Sequence, residues 1–319
     1  MRKILITGAA GFVPSSLADR LIEDETNFVV GVDNFLTGKI QNLPTQSKPN
    51  YTFIKADTND YQDISEVMLA YHFDYVFHYA AVVGVKRTLE NPLMVLQDIK
   101  GIQNVLHLSK NTGVKRVFFS SSSEVYGEPV EFPQNEFTTP LNSKLPYAIV
   151  KNVGEAFLKS YFLEHKLKYT IFRFFNTYGA KQSIDFVLSK FIHCALEDKD
   201  ITLYGDGLQT RTFCHIDDNI DATLKCLNDN LYVNGVLNLG SETEITIREL
   251  ADVVIRLTAS KSKIIYLPAL PDGDMRRRCP DNSQMIGLLN RKLRPLEEGI
   301  QMILDNITTN PNEKKRCHC

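Results

Sequence analysis

Residues 3–7, Lys-Ile-Leu-Ile-Thr, form a short apolar run that breaks at Gly8 and resumes past Gly11 as a helical pattern through Leu17, Leu21 and Ile22. A short apolar run of this kind reads as a strand buried on both faces, and such strands belong to parallel sheets covered by helices. The chain repeats the rhythm. Apolar runs at 28–32, 51–55, 75–79 and 116–120 alternate with helical patterns at 61–72 and 92–111, and a helix at 146–165 and a strand at 169–174 extend the series. Strands alternating with helices predict a parallel, doubly wound α/β sheet. After Asn176 the rhythm loosens into helical patterns at 184–196, 217–227, 246–258 and 297–306 and strand patterns at 201–204, 236–239 and 263–267. The expected division is a sheet domain over 1–175, rejoined by about 212–240, and a smaller C-terminal lobe over 176–306. That lobe is expected over the carboxyl ends of the strands, where α/β proteins bind ligands. Residues 307–319 read as a flexible tail.

Composition narrows the function classes. With 319 residues, 43% hydrophobic and 23% charged, the chain has enough apolar side chains for sizeable cores. A net charge of −2 gives no electrostatic footprint for nucleic acid or an anionic membrane. No apolar run approaches the ~20 residues of a membrane span. The six cysteines, at 194, 214, 226, 279, 317 and 319, include no C-x-x-C pair. Neither a zinc site nor a disulfide framework is indicated, so no metal is expected and a reducing, cytoplasmic location is. Cys317-His318-Cys319 reads as part of the solvated tail.

The first turn carries chemistry. A strand, then Gly8-x-x-Gly11, then a helix, with Asp33 ending the next strand, is a dinucleotide-binding arrangement. Gly8 permits the tight turn and Gly11 lets the backbone approach a pyrophosphate. The helix start, at Phe12 and Val13, supplies amides and positive dipole. Asp33 would take ribose hydroxyls, and Asn34 rather than Arg follows it, which favours NAD over its 2′-phosphorylated form. Asp57 and Thr58, after the third strand, are placed toward the adenine end, and Ala80 and Ala81, after the fourth, against the cofactor. Pro14 stands where a third glycine is expected. Proline is tolerated in a first helical turn, where its missing N–H costs least.

Tyr147 and Lys151 are four residues apart in the 146–165 helix, so they share a face. An ammonium beside a phenol lowers the phenol's pKa from about 10 and suits it to take a proton from a hydroxyl near neutral pH. Just upstream, Ser120-Ser121-Ser122-Ser123-Glu124 closes the fifth strand. Ser122, Tyr147 and Lys151, with Thr7-Gly8-x-x-Gly11 and Asp33, resemble the extended short-chain dehydrogenase/reductase family, which holds nucleotide-sugar epimerases, dehydratases and decarboxylases. The resemblance runs from Lys3 to about Asn306. It implies a Rossmann-like fold with a substrate-binding lobe and NAD as cofactor. It also implies a homodimer paired through helices 92–111 and 146–165, with Leu96, Ile99, Val153 and Phe157 as apolar candidates.

The same resemblance implies roles for later residues. Arg173-Phe174-Phe175-Asn176-Thr177-Tyr178-Gly179 is similar to the family's R-x-x-N-x-Y-G, whose Asn contacts the sugar-nucleotide diphosphate. Tyr204-Gly205-Asp206-Gly207-Leu208-Gln209-Thr210-Arg211 is similar to a signature whose Arg grips that diphosphate, and Arg276-Arg277-Arg278-Cys279-Pro280-Asp281 to a second phosphate-binding motif, with Arg278 preferred. A planar guanidinium suits phosphate because it binds bidentately. Asp98 departs from the pattern, standing where many relatives have Asn near the nicotinamide. The implied shared step has Tyr147 deprotonating a sugar C4 hydroxyl, Ser122 bonding the same oxygen, and Lys151 supporting both Tyr147 and the nicotinamide ribose. Ser123 and Glu124 would then face the sugar. A Ser-Glu pair here is common in UDP-glucuronate decarboxylases, which makes that activity, or a related UDP-hexuronate one, the first expectation. A UDP-sugar 4-epimerase is the second, because Val83-Gly84-Val85-Lys86-Arg87-Thr88-Leu89-Glu90-Asn91-Pro92 looks epimerase-like. A dehydratase is third, and a non-catalytic nucleotide-sugar sensor is the reading from another class.

Overall fold

The computed structural model describes residues 1–44, 48–128, 130–268 and 277–309. In chain order the elements are β1 (Arg2–Thr7), α1 (Phe12–Leu21), β2 (Asn27–Asp33), β3 (Tyr51–Lys55), α2 (Tyr61–Tyr71), β4 (Tyr75–His78), α3 (Val85–Glu90), α4 (Pro92–Thr112), β5 (Arg116–Ser122), α5 (Pro146–His165), β6 (Lys168–Phe174) and β7 (Thr177–Tyr178). There follow α6 (Val187–Leu196), β8 (Ile201–Tyr204), β9 (Thr210–Thr212), β10 (Cys214–His215), α7 (Ile216–Asn228), β11 (Gly235–Leu239), β12 (Glu244–Thr246), α8 (Ile247–Thr258), β13 (Ile264–Leu267), α9 (Ser283–Leu289) and α10 (Leu296–Thr309).

Seven strands form one sheet in the order β11-β6-β5-β4-β1-β2-β3, and the pairs from β6 to β3 run parallel. The doubly wound α/β expectation therefore holds. The strand order reverses at β1, where Thr7 lies opposite Val32 of β2 on one side and His78 of β4 on the other. That reversal is the position at which open α/β sheets bind ligands. Ile4, Leu5, Ile6, Val29, Val30 and Val32 are all 0% exposed, which explains why these strands read as unbroken apolar runs. The long helices are punctuated by sequence. Pro92 and Pro146 open α4 and α5, Gly113 closes α4 in a left-handed conformation, and Thr246 with Glu249 forms a capping box at α8.

The structure adds and corrects several elements. β5 runs to Ser122, two residues beyond the expected 116–120, because Ser121 and Ser122 pair with Arg173 and Phe174. α6 begins at Val187 rather than 184. Helices α3 and α9 and the short strands β7, β9, β10 and β12 were not expected, being too short to show a period. Residues 307–309 complete α10 and are not tail; residues 310–319, with Cys317, His318 and Cys319, lie outside the described residues.

The chain divides into two compact units. Unit 1 comprises Met1–Gly127, Pro140–Phe174 and Thr223–Leu237, and unit 2 comprises Glu128–Thr139, Phe175–Ala222 and the chain from Asn238 onward. The core of unit 1 gathers Leu5, Val76, Ile102, Phe119 and Ile171 between sheet and helices. The core of unit 2 gathers Tyr178, Phe191, Leu250 and Ile300. Residues 128–139 belong to unit 2 through backbone pairing: Gln134 N–H donates to Cys279 O at 2.8 Å, and Asp281 N–H donates to Gln134 O at 2.8 Å. Residues 212–222 also fall in unit 2, where β10 pairs with β7.

Candidate active site

The glycine turn follows β1 directly. Gly8 has φ +72°, and a Cβ there would meet the backbone of Ala80, with Cα at 2.8 Å and N at 2.9 Å. Only glycine suits that conformation and that gap. The Ala80 backbone is held in turn by Thr7, whose Oγ accepts the N–H groups of Tyr79 at 3.0 Å and Ala80 at 3.1 Å. Those two bonds occupy both hydroxyl lone pairs, so the Thr7 proton is left to donate to His78 Nδ1 at 2.9 Å. His78 is therefore an acceptor and neutral. Burial, helped by the Lys151 charge, pushes its pKa down to about 3.

Gly11 closes the turn with its N–H on Gly8 O at 2.8 Å and then serves as the N-cap of α1 without a capping side chain. The first-turn amides of Phe12 and Val13 have no acceptor within the helix. Pro14, third in α1, has no N–H to offer, and Ser15 N–H reaches Gly11 O at 3.2 Å. Pro14 thus removes one unpaired donor of the turn rather than a helix bond. Asp33 ends β2 with Oδ2 accepting Ala10 N–H at 3.0 Å and Oδ1 accepting Phe35 N–H at 2.7 Å. Burial raises its pKa against these two bonds. Each oxygen keeps a lone pair for a hydroxyl donor. Asn34 Nδ2 donates to Asp57 Oδ2 at 2.9 Å, and Asp57 Oδ1 accepts Asn59 N–H at 2.8 Å. Thr58 is buried, Ala80 and Ala81 are half-buried, and Phe12 and Val13 are half-buried at the helix start. A glycine-lined turn, a helix start with free amides and a fixed carboxylate at the neighbouring strand end fit a dinucleotide.

Beside this cradle, β5 delivers Ser122, whose Oγ accepts Glu124 N–H at 3.2 Å and so caps a 3-10 turn over Ser123–Tyr126. Ser123 is buried and Glu124 is half-buried. On α5, Tyr147 is half-buried and Lys151, one turn on, is 3% exposed. Lys151 Nζ lies 5.6 Å from the Tyr147 ring centroid, so the two share a helix face. The ammonium donates to Ser120 Oγ at 3.3 Å and sits 5.1 Å from the Phe119 ring centroid. Burial pulls the Lys151 pKa down to about 8, opposed by the charge of Asp98.

A buried ion pair supports the serine-rich strand end. Glu155 of α5 accepts from Ser121 Oγ at 2.6 Å and from Arg173 of β6, with Nε at 2.9 Å and Nη2 at 2.7 Å. Arg173 Nη1 continues to Tyr126 Oη at 2.9 Å, at the end of the turn that carries Glu124. The charged side chains are 2% and 1% exposed. Burial opposes the charge on Arg173, but the Glu155 bonds and charge outweigh it and hold the guanidinium pKa above its ordinary value.

The remaining candidates lie in unit 2. Asn176 Nδ2 donates to Thr212 O at 3.1 Å, and Arg211, on β9, donates from Nη1 to Thr210 O at 2.8 Å. Arg277 is committed within the unit: its Nε donates to both oxygens of Glu244 at 2.8 and 3.0 Å, and its guanidinium lies 4.3 Å from the Phe132 ring centroid. Arg278 is half-buried, and Arg276 lies outside the described residues.

Sequence reasoning passed over Thr7, His78, Ser120, Glu155 and Arg173. Arg173 opens the very motif from which only Asn176 was read. Glu155 lies two turns past Tyr147, facing inward, and a carboxylate on the buried face of a helix was the available signal.

This sheet, with a glycine turn at its reversal point and an acid closing β2, defines a dinucleotide-dependent enzyme of the short-chain dehydrogenase/reductase class. The sequence places it more closely: the chain belongs to the NAD-dependent epimerase/dehydratase family, whose pattern matches residues 4–240. It is 34% identical over 308 residues to UDP-glucuronic acid decarboxylase 1 of Danio rerio, covering 94% of this chain and 71% of that protein. It is 31% identical over 312 residues to a putative UDP-glucose 4-epimerase of Methanocaldococcus jannaschii, covering 96% and 99%. Among solved structures, the UDP-glucose 4-epimerase of Thermotoga maritima with UDP-glucose superimposes with a TM-score of 0.89 at 30% identity, covering 96% of this chain and 99% of that one. The protein is an NAD-dependent enzyme.

Proposed function

We propose that the protein oxidises the C4 hydroxyl of a UDP-sugar to a transient 4-ketone, and that it acts as a UDP-glucuronate decarboxylase or on a closely related UDP-hexuronate. The observation that carries the common step is Lys151, buried one turn from Tyr147 with its ammonium 5.6 Å from the phenol ring. A cation so placed favours the ionised phenol, which takes the C4 hydroxyl proton. Ser122 Oγ bonds the same oxygen. NAD, when bound, supplies the hydride acceptor and returns the hydride. Gly8, Gly11, Phe12 and Val13 would hold its pyrophosphate, Asp33 its adenosine ribose, Asn34, Asp57 and Thr58 its adenine end, and Ala80, Ala81 and Lys151 its nicotinamide end. Asn176, Arg211 and Arg278 would hold the nucleotide diphosphate, where Arg forks suit phosphate oxygens.

The decarboxylase reading is favoured by the Ser123-Glu124 pair on the turn capped by Ser122, and by similarity to the Danio rerio decarboxylase. Once C4 is a ketone, the hexuronate is a β-keto acid that loses carbon dioxide, and a nearby carboxyl can hand the resulting enolate its proton. The 4-epimerase reading is favoured by the Thermotoga maritima structure and by the 83–92 segment. Incubation with a panel of UDP-sugars and mass readout separates the readings. Loss of carbon dioxide means decarboxylation, loss of water means dehydration, and an unchanged mass at a new retention time means epimerisation. No turnover of any UDP-sugar, with cofactor still bound, would remove the UDP-sugar reading. The Glu124→Gln variant sharpens the choice. A decarboxylase is expected to lose about 10²-fold or more in product formation, the effect of removing one positioned acid/base group. NADH formation, read by absorbance, should change much less. Unchanged product formation would move epimerisation to first place.

A homodimer is part of the same proposal. α4 packs against α5, and together they expose Leu93 (77%), Leu96 (38%), Ile149 (37%) and Leu163 (68%). Of the other expected dimer residues, Ile99, Val153 and Phe157 are all half-buried, Ile99 and Phe157 with part of each side chain against the unit 1 core. Light scattering should report twice the chain mass at micromolar concentration; a monomer there would remove the dimer. Among the described residues no helix is long and apolar enough to cross a membrane.

A further inference from the structure

A glycine inside a helix costs that helix stability, and α4 carries one at Gly101, buried near its middle. The reason for it lies in the loop after β3. A Cβ on Gly101 would come within 2.6 Å of Asn59 Oδ1 and 2.9 Å of Thr58 Oγ1, too close for either neighbour to stay where it is. With no side chain in the way, the loop lies on the bare helix backbone, and Gly101 N–H donates to Asn59 Oδ1 at 3.0 Å. One turn further along α4, Asn104 Nδ2 donates to Thr58 O at 3.0 Å and to Asn59 O at 3.4 Å. Residues i and i+3 are neighbours on a helix surface, so Gly101 and Asn104 form one docking face for the loop.

Asn59 carries that attachment back to the end of β3. Its Oδ1 is taken by Gly101 N–H, so its Nδ2 is turned to Asp98 Oδ1 at 3.4 Å. Its backbone N–H donates to Asp57 Oδ1 at 2.8 Å, while Asp57 Oδ2 accepts Asn34 Nδ2 at 2.9 Å. The Asp57 carboxylate is therefore held from two sides, by the end of β2 and, through Asn59, by α4. A loop fixed in advance gives up little freedom when a ligand binds it, and the saving appears as affinity.

We infer that Gly101 and Asn104 of α4 are positioning residues for the adenosine half of NAD: they hold the 57–59 loop, and with it the Asp57 carboxylate, at the carboxyl end of β3. Neither residue need touch the cofactor. The inference rests on the proposed placement of Asp57 and Thr58 at the adenine end and is independent of which sugar nucleotide the protein acts on.

The test uses the full-length protein freed of nucleotide and two variants that act in different ways. Asn104→Leu keeps the side-chain size and removes both donors. Gly101→Ala adds the methyl group that displaces the loop, although alanine is the better helix former. Calorimetric titration with AMP and, separately, with nicotinamide mononucleotide reads the two halves of the cofactor. The AMP dissociation constant should rise by about three- to tenfold in each variant, the effect of losing a hydrogen bond or two. Nicotinamide mononucleotide should bind as to the wild type. Thermal unfolding establishes which variants are folded. A folded Asn104→Leu protein with wild-type AMP affinity overturns the inference, including one whose melting temperature has dropped, since that marks a structural role alone. Equal weakening of both half-cofactors also overturns it, because the site has then loosened as a whole. Asp57→Ala separates the inference from the placement it rests on. If Asn104→Leu weakens AMP and Asp57→Ala does not, the inference stands and the adenosine contact belongs to the loop backbone rather than to the Asp57 carboxylate.

Discussion

Tyr147→Phe should lower turnover by about 10²–10⁴-fold, the range for loss of one well-placed acid/base group. The fold and NAD binding should survive. Tyr147 is half-buried at the start of α5, and its ring remains in the variant to pack beside Lys151. The helix keeps Pro146 at its first position and its inward residues Ala148, Val150, Gly154 and Leu158. What disappears is the hydroxyl that would carry the proton. Under the proposed reaction Lys151 would then have no phenolate to stabilise. The check is kcat for the UDP-sugar that the wild type consumes, alongside an NAD titration and a thermal melt. Wild-type turnover in a folded Tyr147→Phe protein would take Tyr147 out of the mechanism, and the Lys151 argument with it.

The largest effect on stability is expected at Glu155. Glu155→Leu would leave the Arg173 guanidinium buried at 2% exposure without its carboxylate. Removing one partner of a buried pair costs about 3–5 kcal/mol, because the other charge is stranded away from water. Ser121 Oγ and Arg173 Nε and Nη2 would all lose an acceptor. Replacing both partners should be far less damaging: Glu155→Leu with Arg173→Leu should unfold closer to the wild type than either single variant, because no charge then remains buried. Urea unfolding of the three variants measures this. A cost below about 1 kcal/mol for Glu155→Leu would mean that solvent reaches the site and that the pair does not support the strand end. The single variant should also loosen the turn that carries Glu124, since Arg173 bonds Tyr126 at its end.

Much of this protein is written locally. The apolar runs of β1, β2 and β4, the glycine turn after β1, and the prolines that open α4 and α5 act over a few residues, so a linear reading finds them. The spacing of Tyr147 and Lys151 is likewise a property of one helix, and it placed them on one face before any coordinates. Ser122 was legible as a strand end, although β5 extends further than its apolar core, because strand length is set by pairing with β6 rather than by composition. The short elements α3, α9 and β7 were invisible, since a helix of under two turns or two residues of strand carry no period.

Sequence alone therefore determined the parallel sheet, the cofactor turn and the chemical identity of the candidate acid/base group. Tertiary structure decided the environment of each. Thr7 and His78 lie 71 residues apart and meet only because β1 and β4 are neighbours in the sheet, and that meeting fixes Ala80 against Gly8. Ser120 and Ser122, two residues apart on β5, share a face of the strand, and it is Ser120 that receives the Lys151 ammonium, a contact that depends on where α5 packs along the strand. Segment 128–139 joins unit 2 through backbone bonds to residues 279 and 281, which no local pattern encodes. The charge state of Lys151 is likewise set by packing: burial pulls its pKa down to about 8, and burial is a property of the assembled fold that residue spacing along the chain does not record.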